Sequence, residues 1–93
     1  MYNLRIRKTL ETTFQKLSRK NQKQLKIIEK KINEIRKNPH HYKNLKAPLQ
    51  HLKRVHIDKS FVLVFSINEN TKTIIIEDYE HHDKIYRSPR ISE

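Results

Sequence analysis

Ninety-three residues make one small domain with a thin core, and at 34% hydrophobic content every large apolar side chain counts. The chain has no cysteine, which excludes disulfides and thiolate metal sites, and no glycine, which excludes the Gly-rich phosphate cradles of nucleotide-binding folds. Twenty-one Lys and Arg against ten Asp and Glu leave a net charge of +11, an imbalance that draws polyanions such as nucleic acid, ribosomes, an acidic protein or anionic lipid.

Residues 2–7 alternate apolar and polar side chains, as a half-buried strand does. Thr9 is placed to cap a short helix, with Glu11 in its first turn and Leu10, Phe14 and Leu17 along one face. Ser18 breaks that pattern as a second cap. The longer helix that follows carries Leu25, Ile28, Ile32 and Ile35 at helical spacing. Asn38-Pro39 ends it, because proline disfavours helical geometry in the preceding residue. Residues 40–50 have no clear period and contain Pro48, as a loop does. Three strands are predicted next, over 52–57, 61–67 and 72–79, the middle one nearly all apolar as a central strand is. A turn at Asn68-Glu-Asn-Thr joins the last two, using asparagine where glycine is missing.

The fold class is therefore α+β: an N-terminal strand, an antiparallel two-helix hairpin, then a three-stranded antiparallel meander completing one sheet, with the helices on one face. Residues 1–87 form the domain and 88–93 a tail. No apolar run approaches the roughly 18 residues of a membrane span, and no apolar signal region follows Met1, so a cytoplasmic protein with no membrane role is expected.

With Asp58 and Lys59 as a two-residue hairpin loop, Ile57 pairs with Ser60, His56 sits across from Phe61, and Arg54 lies opposite Leu63. Arg54, His56 and Phe61 then share a face: a cation for phosphate, an imidazole, and a ring on which a base can stack. Strand alternation by itself also puts polar residues on an outer face, without any function. His81 and His82, being adjacent, point opposite ways, and a helical turn over 83–87 would bring His82 and Tyr86 to one face.

The pairs His40-His41 and His81-His82 lack metal-ligand spacing, and Glu77, Asp78, Glu80 and Asp83 do not make a convincing magnesium site. A route without metal or other cofactor is the expectation. A base deprotonates a ribose 2′-hydroxyl, which attacks the adjacent phosphate, and an acid protonates the leaving 5′-oxygen. Arg54 suits the charge role, His56 and His82 suit proton transfer, and Phe61 or Tyr86 suits stacking. Lys46, Lys53, His81 and Arg87 complete the set of candidate RNA contacts.

This order of elements resembles the RelE/ParE superfamily of type II toxins. The matching parts are the basic first strand, a helical hairpin ending in Asn38-Pro39, and the loop Leu45-Lys-Ala-Pro-Leu49. The strand pair Lys53-Arg-Val-His-Ile57 and Phe61-Val-Leu-Val-Phe-Ser-Ile67 follows, with His81-His-Asp-Lys-Ile-Tyr-Arg87 near the end. The resemblance implies a toxin held inactive by a cognate antitoxin whose extended segment wraps the helices and sheet. RelE-type members act on mRNA in the ribosomal A site without metal, among rRNA contacts; ParE-type members inhibit DNA gyrase. The resemblance sets Arg54 at a basic active-site position, His56 and His82 at the positions of functional histidines in YafQ-like members, and Tyr86 at the C-terminal aromatic. Many RelE relatives have Gly-Asp-Tyr-Arg where this chain has Asp58-Lys-Ser-Phe61, and arginines where it has His82 and Asp83. These departures favour a histidine-using mRNA endonuclease. The alternative is a non-catalytic gyrase inhibitor, or an inactive relative that binds RNA or antitoxin.

Overall fold

Helix formation follows the apolar spacing, with the caps differing from the expected ones. The computed structural model describes residues 1–85. After strand β1 (Asn3–Ile6), helix α1 covers Lys8–Lys20 and α2 covers Gln22–Lys37. Thr9 lies inside the first turn, and the N-cap is Arg7, whose side chain makes no capping bond. Ser18 stays within the helix, its hydroxyl donating back to the carbonyl of Gln15 at 2.6 Å instead of capping a new start. The second cap is Asn21, whose Oδ1 accepts the Gln24 N–H at 3.1 Å, a role asparagine fills well. Asn38 and the buried Pro39 end α2 as expected, and a short 3-10 turn, Pro39–His41, follows.

The meander is β2 (Lys53–Ile57), β3 (Phe61–Asn68) and β4 (Thr73–His81), after which α3 (His82–Ile85) begins. Strand order is β1-β4-β3-β2, with β2, β3 and β4 antiparallel. β1 runs parallel to β4, from Asn3 opposite Thr73 to Ile6 opposite Ile76, so the sheet is mixed. The Tyr2 N–H donates to the carbonyl of Arg36 at 3.0 Å, which sets the end of α2 beside the start of β1. β2 therefore starts at the same end as β1, and two reversals later β4 runs the same way.

One core lies between the helices and the sheet. Leu10, Ile28, Ile32 and Ile35 from the helices meet Ile57, Leu63, Phe65, Ile74, Ile76 and Tyr79 from the strands. A second, smaller cluster of Leu45, Leu52, Val62 and Val64, with Leu49 against it, lies on the other sheet face under the segment that leads into β2. At the far end of the sheet Glu69 accepts hydrogen bonds from Tyr2 Oη (2.9 Å), His40 Nε2 (2.7 Å) and Lys72 Nζ (2.7 Å), tying β1, the 3-10 turn and the β3–β4 turn together. In that turn the left-handed residue is Lys72 (φ 51°), and Asn68 instead accepts the Thr71 N–H through its side chain. No helix among the described residues is long and apolar enough to cross a membrane.

Candidate active site

The β2–β3 hairpin decides which side chains share a surface. Its loop has three residues, 58–60, with Asp58 in the left-handed region (φ 55°), so Ile57 pairs with Phe61. His56 then lies opposite Val62 and Arg54 opposite Val64, one position from the register expected of a two-residue loop. A slip of one residue exchanges the faces of a strand. Phe61 accordingly leaves the face of His56 and joins the helix side, where its ring stacks on Tyr79 (5.1 Å between centroids, 9°). His81, paired with Phe61 in the ladder, meets that ring edge-on at 5.5 Å. Neither Phe61 nor His81 shares the surface of Arg54 and His56.

His82 does. Its ring stacks on that of His56 with centroids 5.9 Å apart and planes 24° from parallel, within the range of interacting aromatic pairs. Both rings are exposed. The His82 N–H donates to the carbonyl of Ser60 at 2.7 Å, so the hairpin loop that ends β2 also anchors the start of α3. Its Nδ1 lies 3.6 Å from Asp83 Oδ1. Arg54 is half-buried two positions before His56, and its N–H donates to the carbonyl of Lys43 at 3.2 Å. The structure thus brings together His56 and His82 from separate elements, with Arg54 next along the strand.

The remaining sequence candidates lie elsewhere. Lys53 is buried, its Nζ donating to the Tyr42 carbonyl (2.9 Å) and to Asn44 Oδ1 (2.7 Å), so its charge serves the loop beneath it. Lys46 is exposed on the segment leading into β2. Tyr86 and Arg87 lie outside the described residues.

Sequence reasoning missed the acidic side of this face. Opposite Val64 and Val62, β4 supplies Asp78 and Glu80, so each row across the sheet reads cation or imidazole, valine, carboxylate. A bulge between Val64 and Phe65 sets Asp78 against Val64 and Ile76 against Phe65, with Glu77 as the extra residue. Glu77 accepts from Arg7 Nε (2.5 Å) and Ser66 Oγ (2.6 Å), which ties β1 to the centre of the sheet. The acidic run 77–80 is visible in the sequence, but nothing there marks the bulge. Among the described residues no group of three or more His, Asp and Glu is set to hold a metal ion. In this arrangement two imidazoles can exchange protons with a substrate lying over β2, and a guanidinium can balance charge beside them.

Comparison with known proteins agrees with the fold. Residues 4–86 match the model of the ParE toxin of the type II toxin–antitoxin system parDE. An uncharacterized protein of Methanosarcina mazei is 64% identical over 86 residues, which is 92% of this chain and 100% of that one. RelE4 of Methanocaldococcus jannaschii is 55% identical over 91 residues, 98% of this chain and 97% of that one. Among solved structures, the YoeB–YefM complex from Staphylococcus aureus superposes with a TM-score of 0.73 at 20% identity, covering 88% of this chain and 98% of the matched chain.

Proposed function

We propose that this chain, which belongs to the ParE toxin family of type II toxin–antitoxin systems, is a metal-independent endoribonuclease that cuts mRNA at the ribosome. The observation that carries the reading is the stacking of His56 on His82 at 5.9 Å, on the strand that also bears Arg54. One imidazole takes the proton of a ribose 2′-hydroxyl. The 2′-oxygen bonds to the adjacent phosphorus as the bond from phosphorus to the 5′-oxygen breaks, and the second imidazole gives that oxygen its proton. The products are a 2′,3′-cyclic phosphate and a free 5′-hydroxyl. Arg54 balances the charge gathering on the phosphate oxygens, and Tyr86 and Lys46 are the remaining candidate contacts to RNA. The partner that holds the toxin inactive is a cognate antitoxin.

The test is translation-coupled cleavage of mRNA by the purified protein. His56→Ala and His82→Ala should each slow cutting by about 10²-fold, the usual contribution of a positioned acid or base. Cutting at the wild-type rate by both variants rejects the assignment. A second reading, a non-catalytic block of DNA gyrase or binding of RNA or antitoxin without cutting, is favoured by Asp78 and Glu80, whose carboxylates repel a phosphodiester on the same face. It predicts growth arrest with intact transcripts, which primer extension on RNA from induced cells would reveal.

A further inference from the structure

Helix α3 follows β4 with no residue between them. The first turn of a helix fixes several residues for a single hydrogen bond of its own, so its leading N–H groups need partners from outside. Two are in place. The His82 N–H donates to the Ser60 carbonyl at 2.7 Å, and the Asp83 N–H donates to His81 Nδ1 at 3.3 Å. His81 thus stands at the N-cap, its imidazole accepting from the second residue of the helix as an Asn, Asp or Ser side chain does. The bond requires a bare Nδ1, which is the tautomer with the proton on Nε2.

The ring has little freedom to leave that bond. It is half-buried and meets Phe61 edge-on at 5.5 Å, and Phe61 is stacked on the buried Tyr79 at 5.1 Å. The His81 N–H is also occupied, donating to Glu80 Oε1 at 3.0 Å. The peptide units on both sides of His82 are thereby pinned, one by Ser60 and one by His81. Together they fix the direction in which the His82 ring leaves the backbone, and that direction brings it to 5.9 Å from the ring of His56.

We propose that His81 is a positioning residue: by capping α3 it holds His82 against His56, and it makes no contact with RNA. Only the kinetic consequence rests on the ribonuclease reading. Three substitutions divide the properties of the side chain. His81→Asn keeps an acceptor for the Asp83 N–H and loses the ring; His81→Phe keeps a ring against Phe61 and loses the acceptor; His81→Ala loses both. NMR of the purified protein reads the arrangement from cross-relaxation between the His56 and His82 ring protons. Wild type and His81→Asn should show that contact, whereas His81→Phe and His81→Ala should lose it while β2 and β3 keep their chemical shifts. In translation-coupled cleavage, His81→Phe and His81→Ala should lower kcat by about 2- to 30-fold, the range of a lost helix cap, with KM unchanged. His81→Asn should restore most of the rate. The NMR measurement involves no RNA, so it decides the proposal even if the protein does not cut. Survival of the ring contact in His81→Phe, its loss in His81→Asn, or a rise in KM in place of the fall in kcat would each overturn the proposal.

Discussion

Replacing Tyr79 by Phe removes one oxygen from the helix side of the sheet and leaves the ring's surroundings alone. Phe61 stacks on that ring at 5.1 Å and Phe14 meets it edge-on at 5.7 Å, so the phenyl group keeps its place. The lost oxygen accepts the Gln24 Nε2–H at 2.9 Å, and both residues are only 7% exposed. The cost is therefore the penalty of a buried amide left without a partner, about 1–3 kcal/mol. For a domain of this size each kcal/mol moves Tm by roughly 4–8 °C. Adding Gln24→Met removes the orphaned amide, so the double variant should be more stable than Tyr79→Phe alone by about 1 kcal/mol. Urea denaturation followed by circular dichroism measures both, with the slope m unchanged. Burial, partly offset by the Gln24 bond, also raises the Tyr79 hydroxyl above its ordinary pKa of 10.0. The unfolded phenol ionises first as pH rises, so this group's contribution is complete below pH 10 and is lost through the folded value above it. Tyr79→Phe should soften the alkaline decline. A change under 0.5 kcal/mol together with additive single variants would refute the reasoning.

Two further outcomes are expected. Hydrogen bonds from Lys72, then Tyr2 and His40, hold the Glu69 carboxyl at about 2, well below its ordinary 4.5, so its stabilisation is present above pH 4.5 and lost as pH falls through about 2. Melting curves from pH 6 to 2 should show wild type ahead of Glu69→Gln at the neutral end and the two converging in acid; parallel curves would contradict this. Lys53→Met should cost about 1.5–3 kcal/mol by removing two charge-assisted hydrogen bonds, and an unchanged urea midpoint would show that its charge serves something else.

Helices and strands were legible because their signals are local. Ile28, Ile32 and Ile35 announce one buried helix face, and Val62 to Phe65 a strand buried on both sides. Asn38-Pro39 marked a boundary by backbone sterics alone. Register was not legible, because it depends on one residue in a loop. Without glycine, nothing in Asp58-Lys59-Ser60 declares whether two or three residues turn the corner, and Asp58 accepts the left-handed geometry of the longer loop. That single position moved Phe61 to the other face. Arg54 and His56 kept their shared face, since alternation along one strand holds in any register. The approach of His82 to His56 depends on the bond from its N–H to the Ser60 carbonyl, a tertiary contact with no sequence mark. Parallel pairing of β1 was hidden for the same reason: it joins Asn3 to Thr73 across most of the chain.

That pairing also orders events during synthesis. The first strand made must wait for the last before its backbone finds a partner, with seventy positions of chain to be closed in between. The helical hairpin can assemble early from neighbours in sequence, whereas the strand carrying Arg5 stays unmatched until β4 emerges. A truncated product lacking β4 therefore lacks both a finished sheet and the residue that stacks on His56. Completion of both the sheet and the histidine pair thereby waits on the synthesis of β4 and the turn after it.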